Sequence, residues 1–137
     1  MDIIGDGWEA KILNGNPDFL RCDYNGTQTA GATTDIAVST WYSAACTSNG
    51  TTLRGYINGV QELSSAISGN IAETTHMIVG MEKTGSNPFA GRIDEVRVEA
   101  TPRDPMDLLS TYRNVNATTT YYTVGAQEGK RSIVRLR

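Results

Sequence analysis

The chain has 137 residues, 20% of them charged, and a formal net charge of −3 at pH 7. This length predicts one domain with a hydrophobic core, and the negative charge argues against nucleic acid as the main partner. No run of about 18 apolar residues is present, so no membrane-spanning helix is predicted. The N-terminus also lacks the pattern of a signal peptide, so we expect a cytosolic chain or a piece of a longer protein.

Positive charge is concentrated at the C-terminus, where Lys130, Arg131, Arg135 and Arg137 fall within the last eight residues. A basic tail can bind an acidic surface, although a solvated end is the simpler interpretation. We therefore predict a domain over 1–129 and a basic tail over 130–137.

Short segments of alternating apolar and polar residues, separated by turn-forming residues, predict β-strands in the first half of the chain. These strands are predicted at 8–13, 19–24, 35–38, 41–47 and 52–57, with a loop over 27–34. Alternation places Leu20, Cys22 and Tyr24 on one side of the second strand. In the fifth strand, Leu53 and Ile57 lie on one side and Tyr56 on the other.

Two hairpin turns are predicted at Asn49-Gly50 and Asn58-Gly59, which makes the sheet antiparallel. The second half continues with strands at 60–63, 76–81, 89–98, 121–125 and 132–136, and with a loop over 64–75. In the strand over 89–98, Ile93, Val96 and Val98 face inward together only if the register breaks near Asp94-Glu95. A β-bulge is the usual device for such a break.

One short helix is predicted near 105–113. Asp104 is a suitable N-cap, and Pro105 suits the first helical position. About ten short strands and one helix predict an all-β protein, built as an antiparallel β-sandwich.

The two cysteines, Cys22 and Cys46, both lie in predicted strands. A disulfide between them would close a loop of 24 residues and contribute ~3 kcal/mol. The alternative is two small buried thiols. The sequence leaves both possibilities open, and with them the redox compartment.

Three motifs resemble those of one family. Residues 89–98 read Phe-x-Gly-x-Ile-Asp-Glu-Val-Arg-Val, residues 41–45 read Trp-x-x-x-Ala, and residues 53–59 read Leu-x-x-Tyr-x-Asn-Gly. Together they resemble laminin-G-like domains of the concanavalin A-like superfamily, in that family's order. The resemblance implies a concanavalin A-like jelly roll.

Domains of that family usually have two or three strands before the segment that begins here at Trp8. The resemblance therefore implies either an N-terminally truncated sandwich with an open edge, or a sandwich whose missing strands come from elsewhere. We expect that edge to be completed by a partner's strand, by self-association, or by the chain beyond residue 120.

The resemblance implies a non-catalytic binding module that recognises carbohydrate or a protein surface, within a larger extracellular, cell-surface or virion protein. The alternative is an assembly module that forms a homo-oligomer through an open sheet edge and binds no small ligand. A fold of this kind hosts many functions, so the residues must discriminate between these possibilities.

Sugar binding requires an exposed aromatic ring beside polar groups. Five aromatic residues are candidates for this role, although most aromatic residues in strands belong to cores. They are Trp8, Tyr24, Trp41, Tyr42 and Tyr56.

Calcium is the one cofactor that the resemblance implies, because related sandwiches often bind an ion at a loop rim through carboxylate and carbonyl oxygens. Four aspartates lie in oxygen-rich turns, none of which is a recognised calcium loop. They are Asp6, Asp18, Asp23 and Asp35.

Glycosidase chemistry requires two facing carboxylates. Asp94, Glu95 and Glu99 are the nearest approximation, and their spacing does not suit it. His76 is the only histidine and has no suitable neighbours for a triad or zinc site. We therefore predict no enzyme; Asp94 is expected to cap loop amides, and Glu95 to pair with Arg97 or Arg54.

Overall fold

The computed structural model describes residues 2–5, 8–13, 18–24, 27–28, 31–69, 78–81 and 85–116. Within these ranges the chain forms short β-strands and one helix. The strands are β1 (Asp2–Gly5), β2 (Trp8–Leu13), β3 (Phe19–Tyr24), β4 (Thr27–Gln28), β5 (Ala44–Ser48), β6 (Thr52–Ile57), β7 (Val60–Ala66) and β8 (Ile78–Val79), and the helix is α1 (Pro105–Asn116).

The described strands form two antiparallel sheets. A five-stranded sheet has the order β4-β3-β2-β1-β8, and a three-stranded sheet has the order β5-β6-β7. The β6–β7 turn has positive φ at both Asn58 (53°) and Gly59 (75°), as a two-residue hairpin of the favoured type requires. The prediction of an all-β, antiparallel sandwich with one short helix is confirmed.

The hydrophobic core lies where β3 of one sheet meets β6 and β7 of the other. Alternate residues of each strand point into it, as the predicted alternation on β3 and β6 requires. The core contains Leu20, Cys22, Tyr24, Ala32, Leu53, Ile57 and Leu63.

A disulfide between Cys22 on β3 and Cys46 on β5 joins the two sheets, with the Cα atoms 5.9 Å apart. Beside it, Gly55 faces the core between the sheets. A Cβ atom at this position would lie 2.6 Å from the Cγ atom of Leu63 and 3.0 Å from the Sγ atom of Cys22. The close approach of the sheets at the disulfide therefore requires a residue without a side chain.

The helix and the segment before it form a third layer on the outer face of β5-β6-β7. Asp104 caps the helix, because its Oδ1 accepts a hydrogen bond of 2.8 Å from the Met106 amide. Leu109 packs so closely on the β6–β7 turn that a Cβ at Gly59 would lie 2.5 Å from the Leu109 Cα. The helix ends at Asn116, three residues beyond the predicted end.

The predicted strand over 89–98 is wrong. These residues belong to no sheet, although the Phe89 amide donates a 2.7 Å hydrogen bond to the Gly80 carbonyl. Glu95 has a φ of 53°, so the backbone leaves the extended region at the place where the pattern indicated a bulge. That turn ends any regular pairing there, because a ladder needs consecutive extended residues.

Two other strand predictions in the first half need correction. The predicted strand over 35–38 is loop, and the predicted strand over 41–47 begins only at Ala44, which leaves Trp41 in a loop. Conversely, β1 was not predicted, and β4 lies in the predicted loop over 27–34. Two-residue strands such as β4 are set by the neighbouring strand rather than by their own pattern.

In the second half, β7 continues to Ala66, three residues past its predicted end. Within the described part of the predicted strand over 76–81, β8 covers Ile78 and Val79, and residues 76 and 77 lie outside the described residues. The predicted strands over 121–125 and 132–136 and the basic tail over 130–137 lie outside the described residues. The predicted domain boundary at 129 also lies outside them.

Candidate functional site

The candidate aromatic residues occupy different environments, and one of the four with described side chains is clearly exposed. Tyr24 and Tyr56 are buried, with 3% and 1% of their surfaces exposed. Tyr42 is half-buried and packs against the core. The backbone of Trp8 lies in β2 opposite Tyr24; its side chain lies outside the described atoms. Trp41 has 61% of its surface exposed.

Tyr24 and Tyr56 are buried on opposite sides of the three-stranded sheet. The hydroxyl of Tyr24, in the core, donates a 2.8 Å hydrogen bond to the Gly69 carbonyl. Tyr56 alternates with the inward residues of β6, so it faces outward and is covered by the segment Pro102–Pro105. Neither ring is available to a ligand.

Trp41 lies in an exposed loop that precedes β5. Val38 in the same loop has 88% of its surface exposed, and Ser39 has a φ of 58°, in the left-handed region. We call residues 37–41 the Trp41 loop. The Trp41 loop therefore presents two apolar side chains, those of Val38 and Trp41, to solvent.

The Trp41 loop is held at its base on both sides. The Ser43 amide donates to Asn58 Oδ1 (3.0 Å), and the Asn58 amide donates to the Ser43 carbonyl (2.7 Å). The Tyr42 hydroxyl accepts from the Ala37 amide (3.3 Å) and donates to the Asp35 carbonyl (3.4 Å). These bonds restrict the loop before any ligand arrives.

Glu62 of β7 holds the chain just before the loop. Its Oε2 accepts hydrogen bonds from the amides of Thr33 (2.9 Å) and Thr34 (2.8 Å), and both threonine hydroxyls also donate to its carboxylate. Partial burial raises the pKa of Glu62, but these hydrogen bonds from Thr34 and Thr33 outweigh it and lower the pKa from its ordinary value of 4.5.

Sequence reasoning missed Asn58 and Glu62 as supports of the loop. The Asn58-Gly59 pair was recognised as a turn signal, but nothing in it indicates a bond to Ser43. A glutamate on the exposed face of a strand is ordinary, and its four donors come from a segment 28 to 29 residues away. Only the tertiary fold brings these groups together.

The four candidate calcium ligands occupy different surroundings. Asp6 lies outside the described residues, and Asp35 is exposed. The Asp18 carbonyl accepts the Ile36 amide at 2.9 Å. Among the residues that the structure describes, no three acidic, histidine or cysteine side chains form a group that could hold a metal.

Among the three candidate aspartates that the structure describes, Asp23 is the best buried, and its carboxylate belongs to an ion-pair cluster on the outer face of β2 and β3. Its Oδ2 lies 2.7 Å from Arg21 Nη2 and 3.3 Å from Lys11 Nζ. Its Oδ1 is buried and has no hydrogen-bond partner among the residues that the structure describes. Two adjacent cations would repel a calcium ion, so this carboxylate is better matched to its basic neighbours.

Each of the acidic residues at 94, 95 and 99 has a hydrogen-bond or ion-pair partner of its own. Asp94 Oδ1 accepts the Glu95 amide (2.9 Å), Glu95 pairs with Arg97 (3.1 Å), and Glu99 pairs with Arg103 (2.8 Å). The hydrogen bond from Arg103 lowers the pKa of Glu99, whereas a general acid needs a raised pKa. His76 lies outside the described residues.

Comparison with known proteins places the fold. The laminin-G family model described as the concanavalin A-like lectin/glucanases superfamily matches residues 3–108. No curated protein matches the chain. The chain is similar to the crystal structure of an S-layer domain-containing protein (residues 221–444) from Clostridium thermocellum ATCC 27405, at 16% identity and a TM-score of 0.44.

That similarity covers 82% of this chain and 62% of the S-layer domain-containing chain, so this chain spans less than two thirds of the solved one. Within the described ranges, no helix is long and apolar enough to cross a membrane.

Proposed function

Because the chain belongs to the concanavalin A-like lectin/glucanases superfamily, we propose that it is a non-catalytic binding module that recognises carbohydrate through the Trp41 loop. The observation that carries this proposal is the exposure of Trp41 on a loop whose base is hydrogen-bonded to β6–β7 and whose approach is held by Glu62.

An exposed indole suits the apolar face of a pyranose ring. Covering roughly 80 Å² of apolar surface at about 25 cal/mol per Å² yields about 2 kcal/mol, which corresponds to about 30-fold in affinity. Because the loop is already restrained, little conformational entropy is lost when the ligand binds. Thr40 and Ser43, both exposed beside Trp41, carry hydroxyls that can bond sugar hydroxyls.

The disulfide supports the proposed cellular setting. A bond between Cys22 and Cys46 persists in oxidising compartments and is rare in the cytosol. This supports a module of a larger extracellular, cell-surface or virion protein, and it favours that setting over the cytosolic alternative.

Replacing Trp41 by alanine tests the proposal. A glycan array identifies ligands for the wild type, and calorimetry then compares wild type with Trp41→Ala. We expect about a 30-fold loss of affinity, because the stacking surface is removed from an already exposed position that contributes little to folding.

The matched control is Val115→Ala, which removes an apolar side chain that is 71% exposed on α1 and should retain full affinity. Equal affinity of Trp41→Ala and wild type would exclude the Trp41 loop, and a wild type that binds no glycan would exclude carbohydrate.

Assembly through an open strand remains the second candidate, and it is favoured by the segment 96–100. This segment belongs to no sheet and exposes Val96 (40%) and Val98 (51%). Antiparallel pairing of two copies about Val98 would place Arg97 of each copy opposite Glu99 of the other. Such pairs stabilise a two-stranded contact.

Light scattering over a range of concentrations tests this second candidate. We expect the wild type to dimerise and Val98→Lys to dimerise at least tenfold more weakly, since two lysines would then face each other. Val115→Lys, on the helix, adds the same charge and should leave the dimer intact. A wild type that stays monomeric at all concentrations would exclude assembly through this segment.

A further inference from the structure

An open cleft of about 400 Å³ lies on the outer face of the three-stranded sheet. Residues of β5, β6 and their turn line one wall, and the segment before the helix lines the other. The lining residues are Thr47, Asn49, Arg54, Tyr56 and Pro102–Pro105. Thr47 and Asn49 lie at the end of β5, whereas Trp41 precedes its beginning, so the cleft is separated from the Trp41 loop by the length of the strand.

Arg54 is the unusual group in this cleft. Among the described basic residues, Lys11, Arg21, Arg97 and Arg103 form ion pairs, and Arg92 and Arg113 are exposed to solvent. By contrast, within the described part of the chain the guanidinium of Arg54 has neither an ion pair nor a hydrogen bond. It is half-buried, so it lies in the cleft with its five donors available. A planar guanidinium of this kind matches a carboxylate through two parallel hydrogen bonds.

Polar groups on the sheet side surround Arg54. Thr47 lies directly opposite it on β5, and the two side chains share the outer face. Asn49 uses its Oδ1 to accept the Thr51 and Thr52 amides at 3.1 and 2.8 Å, which leaves its amide NH₂ as a donor. A hydroxyl and an amide beside a guanidinium can bond the hydroxyls of a sugar that carries a carboxylate.

The other wall combines two prolines with Arg103 and Asp104, and the Arg103 guanidinium is already paired with Glu99 at 2.8 Å. Pro102 and Pro105 offer ring faces, and Asp104 directs its Oδ1 to the Met106 amide at 2.8 Å. Beyond Arg103 lies a second cleft lined by three carboxylates, those of Glu99, Asp104 and Asp107. An anion is therefore favoured on the Arg54 side and disfavoured beyond Arg103.

We propose that this cleft binds a uronic acid residue, with the carboxylate on Arg54 and ring hydroxyls on Thr47 and Asn49. Its volume lies within the range of small-ligand sites. The site is independent of the carbohydrate site proposed at Trp41, because the two lie at opposite ends of β5 and share no residue.

The test uses the folded chain and two probes, the methyl glycoside of glucuronic acid (the glucuronide) and that of glucose (the glucoside). NMR titration or calorimetry measures the affinity for each. We expect the wild type to bind the glucuronide at least tenfold more tightly than the glucoside. Arg54→Gln should bind the glucuronide at least tenfold more weakly than the wild type does, with no change in its affinity for the glucoside. Arg113→Gln, which removes one exposed positive charge from α1, should bind like the wild type.

Two further measurements keep the outcome decisive. Thr47→Val should weaken glucuronide binding without changing the thermal unfolding temperature by more than a few degrees. Trp41→Ala should leave the affinity for the glucuronide unchanged, which separates this site from the site of the proposed function. Equal binding of both sugars, full binding by Arg54→Gln, or binding of N-acetylglutamate in place of the glucuronide would overturn the proposal.

Discussion

At the scale of single residues, Glu62 fixes the position of the segment that leads to Trp41. Its carboxylate accepts four hydrogen bonds from Thr33 and Thr34, so it restrains the loop from β7 across the surface of the sheet. Because the pKa of Glu62 is lowered in the folded protein, the charged form stabilises the native state.

Replacing Glu62 by glutamine should lower the free energy of unfolding by about 1 kcal/mol at pH 7. A lowered native pKa contributes stability that is present above the unfolded pKa of 4.5. That stability is lost as the pH falls through the native pKa. Urea unfolding at pH 7 and below pH 4.5 should therefore show the difference between wild type and variant shrinking in acid.

The neighbouring Gln61→Ala provides the control for this experiment, because Gln61 is exposed on the same strand and should show little effect at either pH. A Glu62→Gln difference that is the same at both pH values would mean that the carboxylate charge does not hold the loop.

At the scale of elements, the helix depends on its cap. Asp104 bonds the Met106 amide, while its backbone carbonyl accepts the amides of Asp107 and Leu108. The cap lies in the segment that covers Tyr56, so the start of the helix and the outer layer of the sheet are coupled.

The variant Asp104→Ala should destabilise the protein by about 1 kcal/mol, the usual cost of an aspartate N-cap. Thermal unfolding followed by circular dichroism measures this change. Thr101→Ala, an exposed residue of the same segment, should be neutral. Equal stability of Asp104→Ala and wild type would indicate that the helix start is held by packing of Leu109 instead.

Strands with clear alternation of apolar and polar residues, bounded by clear turn signals, could be predicted from the sequence. The strands β2, β3 and β6 have the predicted bounds, and Asn58-Gly59 forms the predicted turn. The segment 89–98 has strong β-propensity but is not a strand, because a strand needs a neighbour that supplies hydrogen bonds. The residue pattern of a segment does not indicate which other strand is available to pair with it.

At the scale of the whole molecule, the Cys22–Cys46 disulfide joins the two sheets through the core. The two residues are 24 positions apart, and a loop of that length restricts the unfolded chain enough to contribute about 3 kcal/mol. The bond also holds β5, the strand that follows the Trp41 loop, close to β3.

The double variant Cys22→Ala/Cys46→Ala should therefore be less stable by about 3 kcal/mol in chemical unfolding. Reducing agent should destabilise the wild type by a similar amount and leave the variant unchanged. A wild type whose unfolding midpoint is unaffected by complete reduction would contradict this account of the disulfide.

The candidate site could be predicted only in part. The five aromatic residues were equivalent by sequence, because each occurs beside polar residues in or near a predicted strand. Burial separated them: Tyr24 entered the core, Tyr56 was covered by Pro102–Pro105, and Trp41 remained exposed because β5 begins three residues later. Exposure depends on which layers meet, which is a property of the whole fold.

By itself, the sequence determined the fold class, the hairpin turns, the inward residues of β3 and β6, and the capped helix. These depend on short-range alternation and turn chemistry, which act within a few residues. Only the tertiary structure decided the disulfide, the bond of Glu62 to Thr33 and Thr34, and the placement of Arg54 in an open cleft. Each of these joins groups distant in sequence, and their contact exists only once the two sheets and the helix have packed.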